Sequence, residues 1–196
     1  MAERARGRAS AGGAVLVGLG AIASSTLYVV SDVMELAAGN LFTAQLVVTY
    51  LAEASIPFFV LGLNGLQQPR GGWASLAGAL MYGFAFVGLS ATVLYPMVTG
   101  VRDADVVFDA FGALYDLHAG LALMGGLVFG ASVLRARVFP PWTGVALVAG
   151  LLVTAGLTVA GLPEEVQTVG TAVRSVAFAG MGAACLRMRS TRTPAP

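Results

Sequence analysis

Long apolar runs alternate with short polar breaks along the whole chain. Runs at 13–36, 42–66, 74–99, 107–133, 142–162 and 166–187 are each close to the ~20 residues a helix needs to cross a hydrocarbon core of about 30 Å. Between them stand AAGN, QQPRGG, TGVRDAD, RARVFPP and GLPEE, which are turn and charge signals. Within the runs Gly, Ala, Val and Leu follow one another without two-residue alternation, which argues for helices over barrel strands. Backbone groups in lipid must pair within the protein, and an α-helix does this inside one segment. The pattern therefore predicts an all-α, polytopic integral membrane bundle of six transmembrane helices over residues 13–187. Polar tails are expected at 1–12 and 188–196, both short and disordered.

Composition strengthens this reading. The chain is 57% hydrophobic and 11% charged, with a mean hydropathy of +0.82. Average soluble domains carry about 25% charged residues. Every basic residue is an arginine. The absence of lysine excludes Schiff-base chemistry and a P-loop lysine. A single cysteine, Cys185, excludes an intrachain disulfide and any multi-cysteine centre. The Ala, Gly, Val and Arg bias points to a bacterial source, and so to a bacterial cytoplasmic membrane.

The arginines set the expected orientation. Arg4, Arg6, Arg8, Arg70, Arg135, Arg137, Arg187, Arg189 and Arg192 fall on one side, and only Arg102 falls on the other, beside Asp103 and Asp105. Glu164 and Glu165 share the Arg102 side. By the positive-inside rule both termini are cytoplasmic, and Trp73 and Trp142 are interfacial anchors after inside loops. Ala21-Ile22-Ala23 resembles a signal-peptide cleavage site, but the apolar run continues to Val30, which favours an uncleaved span.

The ionisable groups are unevenly distributed. FGALYDLHAG, residues 111–120, holds Asp116 and the only histidine, His118. With span 4 starting at 107, these lie roughly 14 and 16 Å deep at 1.5 Å per residue. Glu53 is equally deep in span 2. Asp32 and Glu35 fall in the last outer turn of span 1, Asp109 at the outer end of span 4, and Arg174 in the outer half of span 6. The inner half has no ionisable residue, so a polar cavity open to the outside and closed below is expected.

Helical spacing groups these residues. Tyr28, Asp32 and Glu35 share a face, as do Gln45, Thr49, Glu53 and Pro57, with Asn64 returning near it, and Gln167, Thr171 and Arg174. Asp116 and His118, two apart, point different ways, and Tyr115 is the better neighbour of His118. YLAEA at 50–54 and YDLHA at 115–119 align at an offset of 65, which would set Glu53 against His118 at a repeat interface.

Charges within a membrane are functional hypotheses by default, and a midplane carboxylate costs on the order of 2.5–3.5 kcal/mol on insertion scales. The structural alternatives are solvated helix ends for Asp32, Glu35 and Asp109, a salt bridge for Arg174, and an interhelical hydrogen bond for His118. One reading is an embedded enzyme for a lipophilic, prenyl-, terpene- or lipid-like small molecule, needing no cofactor. Glu53, Asp116, His118 and Asp32 would carry its acid/base chemistry. Arg174, Glu35, Tyr28, Tyr50, Tyr115, Tyr95 and Asn64 would line its pocket, with Phe58 and the tyrosines offering π faces to a carbocation. A second is a proton-coupled transporter using Glu53, His118 and Arg174. A third is a non-catalytic subunit whose acids meet a partner helix. No HxxxH or ExxH spacing calls for a metal, no nucleotide motif is present, and no nucleic-acid partner is expected. The bilayer is the expected partner. The GxxxG of Gly126 and Gly130 is a candidate for packing within the bundle or in a homodimer.

Overall fold

The computed structural model describes the backbone of residues 2–39, 41–161 and 164–190, with side chains over 12–39, 41–161 and 168–188. The side chains of Arg4, Arg6, Arg8, Glu164, Glu165, Gln167 and Arg189, and the whole of Arg192, lie outside the described residues. The helices are α1 (Ala2–Ala38), α2 (Thr43–Gln67), α3 (Gly72–Thr99), α4 (Ala104–Phe111), α5 (Ala113–Ala136), α6 (Pro141–Val159) and α7 (Glu164–Ser190). Six contain segments long and apolar enough to span a membrane, and the short α4 does not. The protein is an all-helical, multi-pass membrane bundle. The helix of α1 already begins at Ala2, within the segment expected as a loose tail.

Each spanning helix packs on its chain neighbours, and α7 closes on α1, so the six form a ring. Lipid tails are as apolar as leucine, so close packing and hydrogen bonds must hold such a ring. Glycine pairs supply the close approach. A Cβ on Gly182 of α7 would lie 2.6 Å from the carbonyl oxygen of Gly18 on α1. Gly78 with Gly125, Gly130 with Gly144, and Gly150 with Gly170 bring together α3–α5, α5–α6 and α6–α7. Gly126 and Gly130 are thus used within the chain. A Cβ on Gly126 would meet Leu151 and Tyr82, and one on Gly130 would meet Val148. The ring is filled by side chains reaching inward. Phe178 of α7 lies edge-on to Phe59 of α2 at 5.1 Å and 5.7 Å from Tyr82 of α3. Phe58, Trp73 and Leu16 are largely exposed on the outside, as lipid-facing or interfacial residues should be.

The fourth span differs from its expected bounds. The helical run breaks at Gly112, where φ is +47° and ψ is −128°. L-residues rarely adopt that backbone, and glycine has no Cβ to oppose it. Before the break, α4 is a separate two-turn helix. Asp103 caps it by accepting from the Asp105 N–H at 3.0 Å, Val107 is buried, and Asp105 and Asp109 are exposed. The span therefore starts at Ala113, and FGALYDLHAG straddles a helix boundary. Asp116 falls in the first turn of α5. His118 is five residues below its start, or about 7 Å at 1.5 Å per residue. Its ring nevertheless lies against Gly88 of α3, two residues from the Ser90 that is beside Glu53, so His118 and Glu53 are at similar depth but on different faces of α3. The two do not face each other across an interface: Glu53 meets Tyr28 of α1, whereas His118 packs on Phe84 of α3.

Candidate functional site

Four helices bring polar side chains to one level inside the ring. Glu53 is ten residues from the start of α2 and Arg174 ten from the start of α7. Tyr28 is ten from the end of α1 and Ser90 nine from the end of α3. At 1.5 Å per residue each lies about 15 Å from the Arg102 end.

Tyr28 Oη donates to Glu53 Oε1 at 3.1 Å. The guanidinium of Arg174 lies over two rings, 5.2 Å from the centre of Tyr28 and 5.3 Å from that of Phe86. These are cation–π distances. Arg174 also lies in the electrostatic field of Tyr82, Tyr28 and Asp32, and Glu53 in that of Arg174 and Asp32. Ser90 is beside Glu53 but donates its proton to the Phe86 carbonyl at 2.7 Å. Glu53 is 5% exposed, and its second oxygen, Oε2, is buried with no hydrogen-bond partner among the described residues. Pro57, one turn on, has no N–H, so the Glu53 backbone carbonyl loses its helical partner.

From this cluster a polar column runs along the α1–α2 interface towards the Arg102 end. Ser31 and Thr49 share a short hydrogen bond. Gln45 Nε2 donates to Ser31 Oγ at 3.1 Å, Thr49 Oγ1 at 3.1 Å and Glu35 Oε2 at 3.0 Å. Towards the arginine-rich end the interior is sealed by Phe59, Phe178, Leu63, Met181 and Cys185. Beyond that seal, Asn64, Gln67, Gln68 and Ser75 form a separate uncharged knot. Ser75 Oγ donates to Asn64 Oδ1 at 2.6 Å, and Gln68 Nε2 donates to it at 3.1 Å.

The structure thus gathers Glu53, Tyr28, Arg174 and Asp32, with Glu35 at the far end of the column. It does not bring the other candidates there. Asp116 is exposed. His118 is buried between α5 and α3, with Nδ1 2.8 Å from the Leu114 carbonyl and its ring stacked 5.7 Å from Phe84. Gly88 of α3 makes room for it. Tyr115 packs 4.6 Å from Phe108, and Tyr95 5.7 Å from Phe111, so both hold α4 in place. Tyr50 is partly buried and makes no hydrogen bond to a described residue. Asn64 belongs to the knot at the opposite end. Ser24, Ser31, Ser90 and Tyr82 were not singled out from sequence. Ser24 and Ser31 were legible, because they continue the Tyr28 and Glu35 stripe at helical spacing.

The room at the cluster is small. A void of about 10 Å³ lies between α1, α2 and α7, one turn towards the arginine-rich end. That is near the limit for a single water. A wider groove of about 480 Å³ lies between Val138–Pro140, Trp142 and the last turns of α7, with no carboxyl in its lining. Among the described residues no group of His, Cys, Asp and Glu could hold a metal ion. Comparison of the chain with protein-family models, with curated proteins and with solved structures finds no match.

Proposed function

We propose that this protein is a proton-coupled membrane carrier. Glu53 is its proton site, and the Ser31, Gln45 and Thr49 column is the route by which protons reach it. The observation that carries this reading is Glu53 Oε2, buried at mid-membrane depth with no donor among the described residues. A bare carboxylate oxygen there lacks the hydrogen bonds that would offset its desolvation. A proton on it removes the charge, and Tyr28 holds the other oxygen in place. Hydrogen-bonded hydroxyls and an amide lie between this carboxyl and the Arg102 end, and an aromatic and aliphatic seal closes the other. A carrier at rest, open to protons from one side, has this arrangement. With the arginine-rich end cytoplasmic, the column faces outwards from a bacterial cytoplasmic membrane.

The embedded-enzyme reading has less support. A void of about 10 Å³ does not admit a prenyl or terpene chain. The π faces of Tyr28 and Phe86 are also taken by Arg174, whose charge repels a carbocation.

Dicyclohexylcarbodiimide enters hydrocarbon and adds to carboxyls that carry a proton. Mass spectrometry should find the adduct on the buried Glu53 and none on the exposed Asp109 or Asp116. Replacing Gln45 by Leu should slow the labelling. If Glu53 is unlabelled across the pH range while the protein stays folded, the proposal is wrong.

A further inference from the structure

The void one turn from Glu53 has the chemistry of a binding site. Arg174 and Tyr28 line it towards the cluster, and Phe59 and Phe178 line its apolar side. Three serines complete it: Ser24, Ser25 and Ser175. A serine inside a helix usually returns its proton to a carbonyl one turn back, as Ser90 and Ser132 do here. Ser24 instead donates across to the Ala52 carbonyl at 2.9 Å. Ser25 and Ser175 are 6% and 5% exposed, line the void, and make no hydrogen bond to any described residue. Two serines whose hydroxyls make no hydrogen bond to a described residue, and an arginine, therefore line one space of atomic size.

We propose that this void binds a small monovalent anion of halide size, taken up together with a proton. The donors fix the sign of the ligand, because a guanidinium attracts anions and repels cations. A space near one water excludes anions with a carbon skeleton and favours fluoride over the larger chloride.

Charge balance supplies the coupling, and this step rests on Glu53 being the proton site. The charged groups facing one another are Glu53 of α2, Asp32 of α1 and Arg174 of α7. The neighbours Tyr28, Tyr82 and Ser90 are neutral. Two carboxyls and one guanidinium are neutral with one proton bound. With Glu53 already holding that first proton, an added anion leaves the cluster neutral only if a second proton enters with it, onto Asp32. A net charge in hydrocarbon is costly, so anion and proton bind as a pair.

The test uses the full-length protein in detergent, in weakly buffered sodium gluconate with a pH indicator. Sodium chloride or sodium fluoride is then added at constant ionic strength. The expected result is uptake of about one proton per anion, with affinity falling about tenfold for each pH unit of rise. Gluconate, too large for the void, serves as the blank. The double variant Ser25→Ala/Ser175→Ala should bind the anion about tenfold or more weakly, while its Glu53 still reacts with the carbodiimide. Anion binding without proton uptake overturns the proposal, and so does a double variant that binds like the parent. If neither halide binds but Glu53 is still labelled, the anion assignment falls and the proton site stands. If the labelling is also lost in the parent protein, both fall.

Discussion

Tyr28 of α1 and Glu53 of α2 are joined by one hydrogen bond of 3.1 Å, and the same tyrosine ring lies beneath Arg174 of α7. Tyr28 therefore ties three helices together through two different interactions. Replacing it by Phe removes the first and keeps the second. Interhelical hydrogen bonds in membranes average about 0.6 kcal/mol with a maximum near 1.7. Tyr28→Phe should therefore lower stability by about that amount, read from unfolding in mixed micelles. Tyr28→Leu removes both interactions and should cost more. Equal losses for the two variants would show that the cation–π contact contributes nothing.

The ring closes where α1 meets α7. A Cβ on Gly182 would lie 2.6 Å from the Gly18 carbonyl, whereas one on Gly65 has nothing within 4 Å. Overpacking typically costs about 1–3 kcal/mol. Gly182→Ala should therefore lower the unfolding midpoint. Gly65→Ala should leave it unchanged or raise it, because alanine favours a helix over glycine by up to about 1 kcal/mol. The comparison is one of melting temperatures in the same detergent.

Asp103 caps α4 through the Asp105 N–H. Loss of such a cap typically costs about 1 kcal/mol. A two-turn helix has little else to hold it, so Asp103→Ala should raise amide hydrogen exchange across 104–111. Exchange in α5 should be unaffected, because Gly112 separates the two helices. Faster exchange throughout α5 would show them to be one unit.

The arginine distribution predicts a sidedness that cysteine labelling can read. Cys185 is buried, so it gives little background. An impermeant maleimide should label Asp105→Cys in intact cells, and Gln68→Cys only after the membrane is opened. The reverse pattern would invert the orientation, and with it the side from which Glu53 is reached.

The gross architecture was legible because it follows from length and hydropathy, which depend on neither neighbours nor side-chain direction. Five of the six spanning segments lie within a few residues of their apolar runs, and the fourth starts at Ala113 rather than 107. The site was legible in part. Glu53, Tyr28, Asp32 and Arg174 were recognisable because ionisable and hydroxyl groups stand out in hydrocarbon and fall at helical spacing. Asp116 and His118 stood out for the same reason, yet lie elsewhere. What separates His118 is the interface it packs in, against Phe84 and Gly88 of α3, and what separates Asp116 is its exposed place in the first turn after the Gly112 break; neither is announced by spacing along one helix. Ser25 and Ser175 were not legible. Serine is common in membrane helices, and its significance here lies in what it does not bond to.

The central claim is that Glu53 takes up a proton inside the membrane through the α1–α2 column. Its most direct test is the infrared carbonyl stretch of protonated carboxyls, recorded on the reconstituted protein as pH is varied in H2O and D2O. The account predicts a band from a carboxyl in a poorly hydrated setting that titrates with pH, shifts in D2O, disappears in Glu53→Gln and persists in His118→Ala. A band that survives in Glu53→Gln, or the absence of any such band in the parent protein across the pH range, would contradict it.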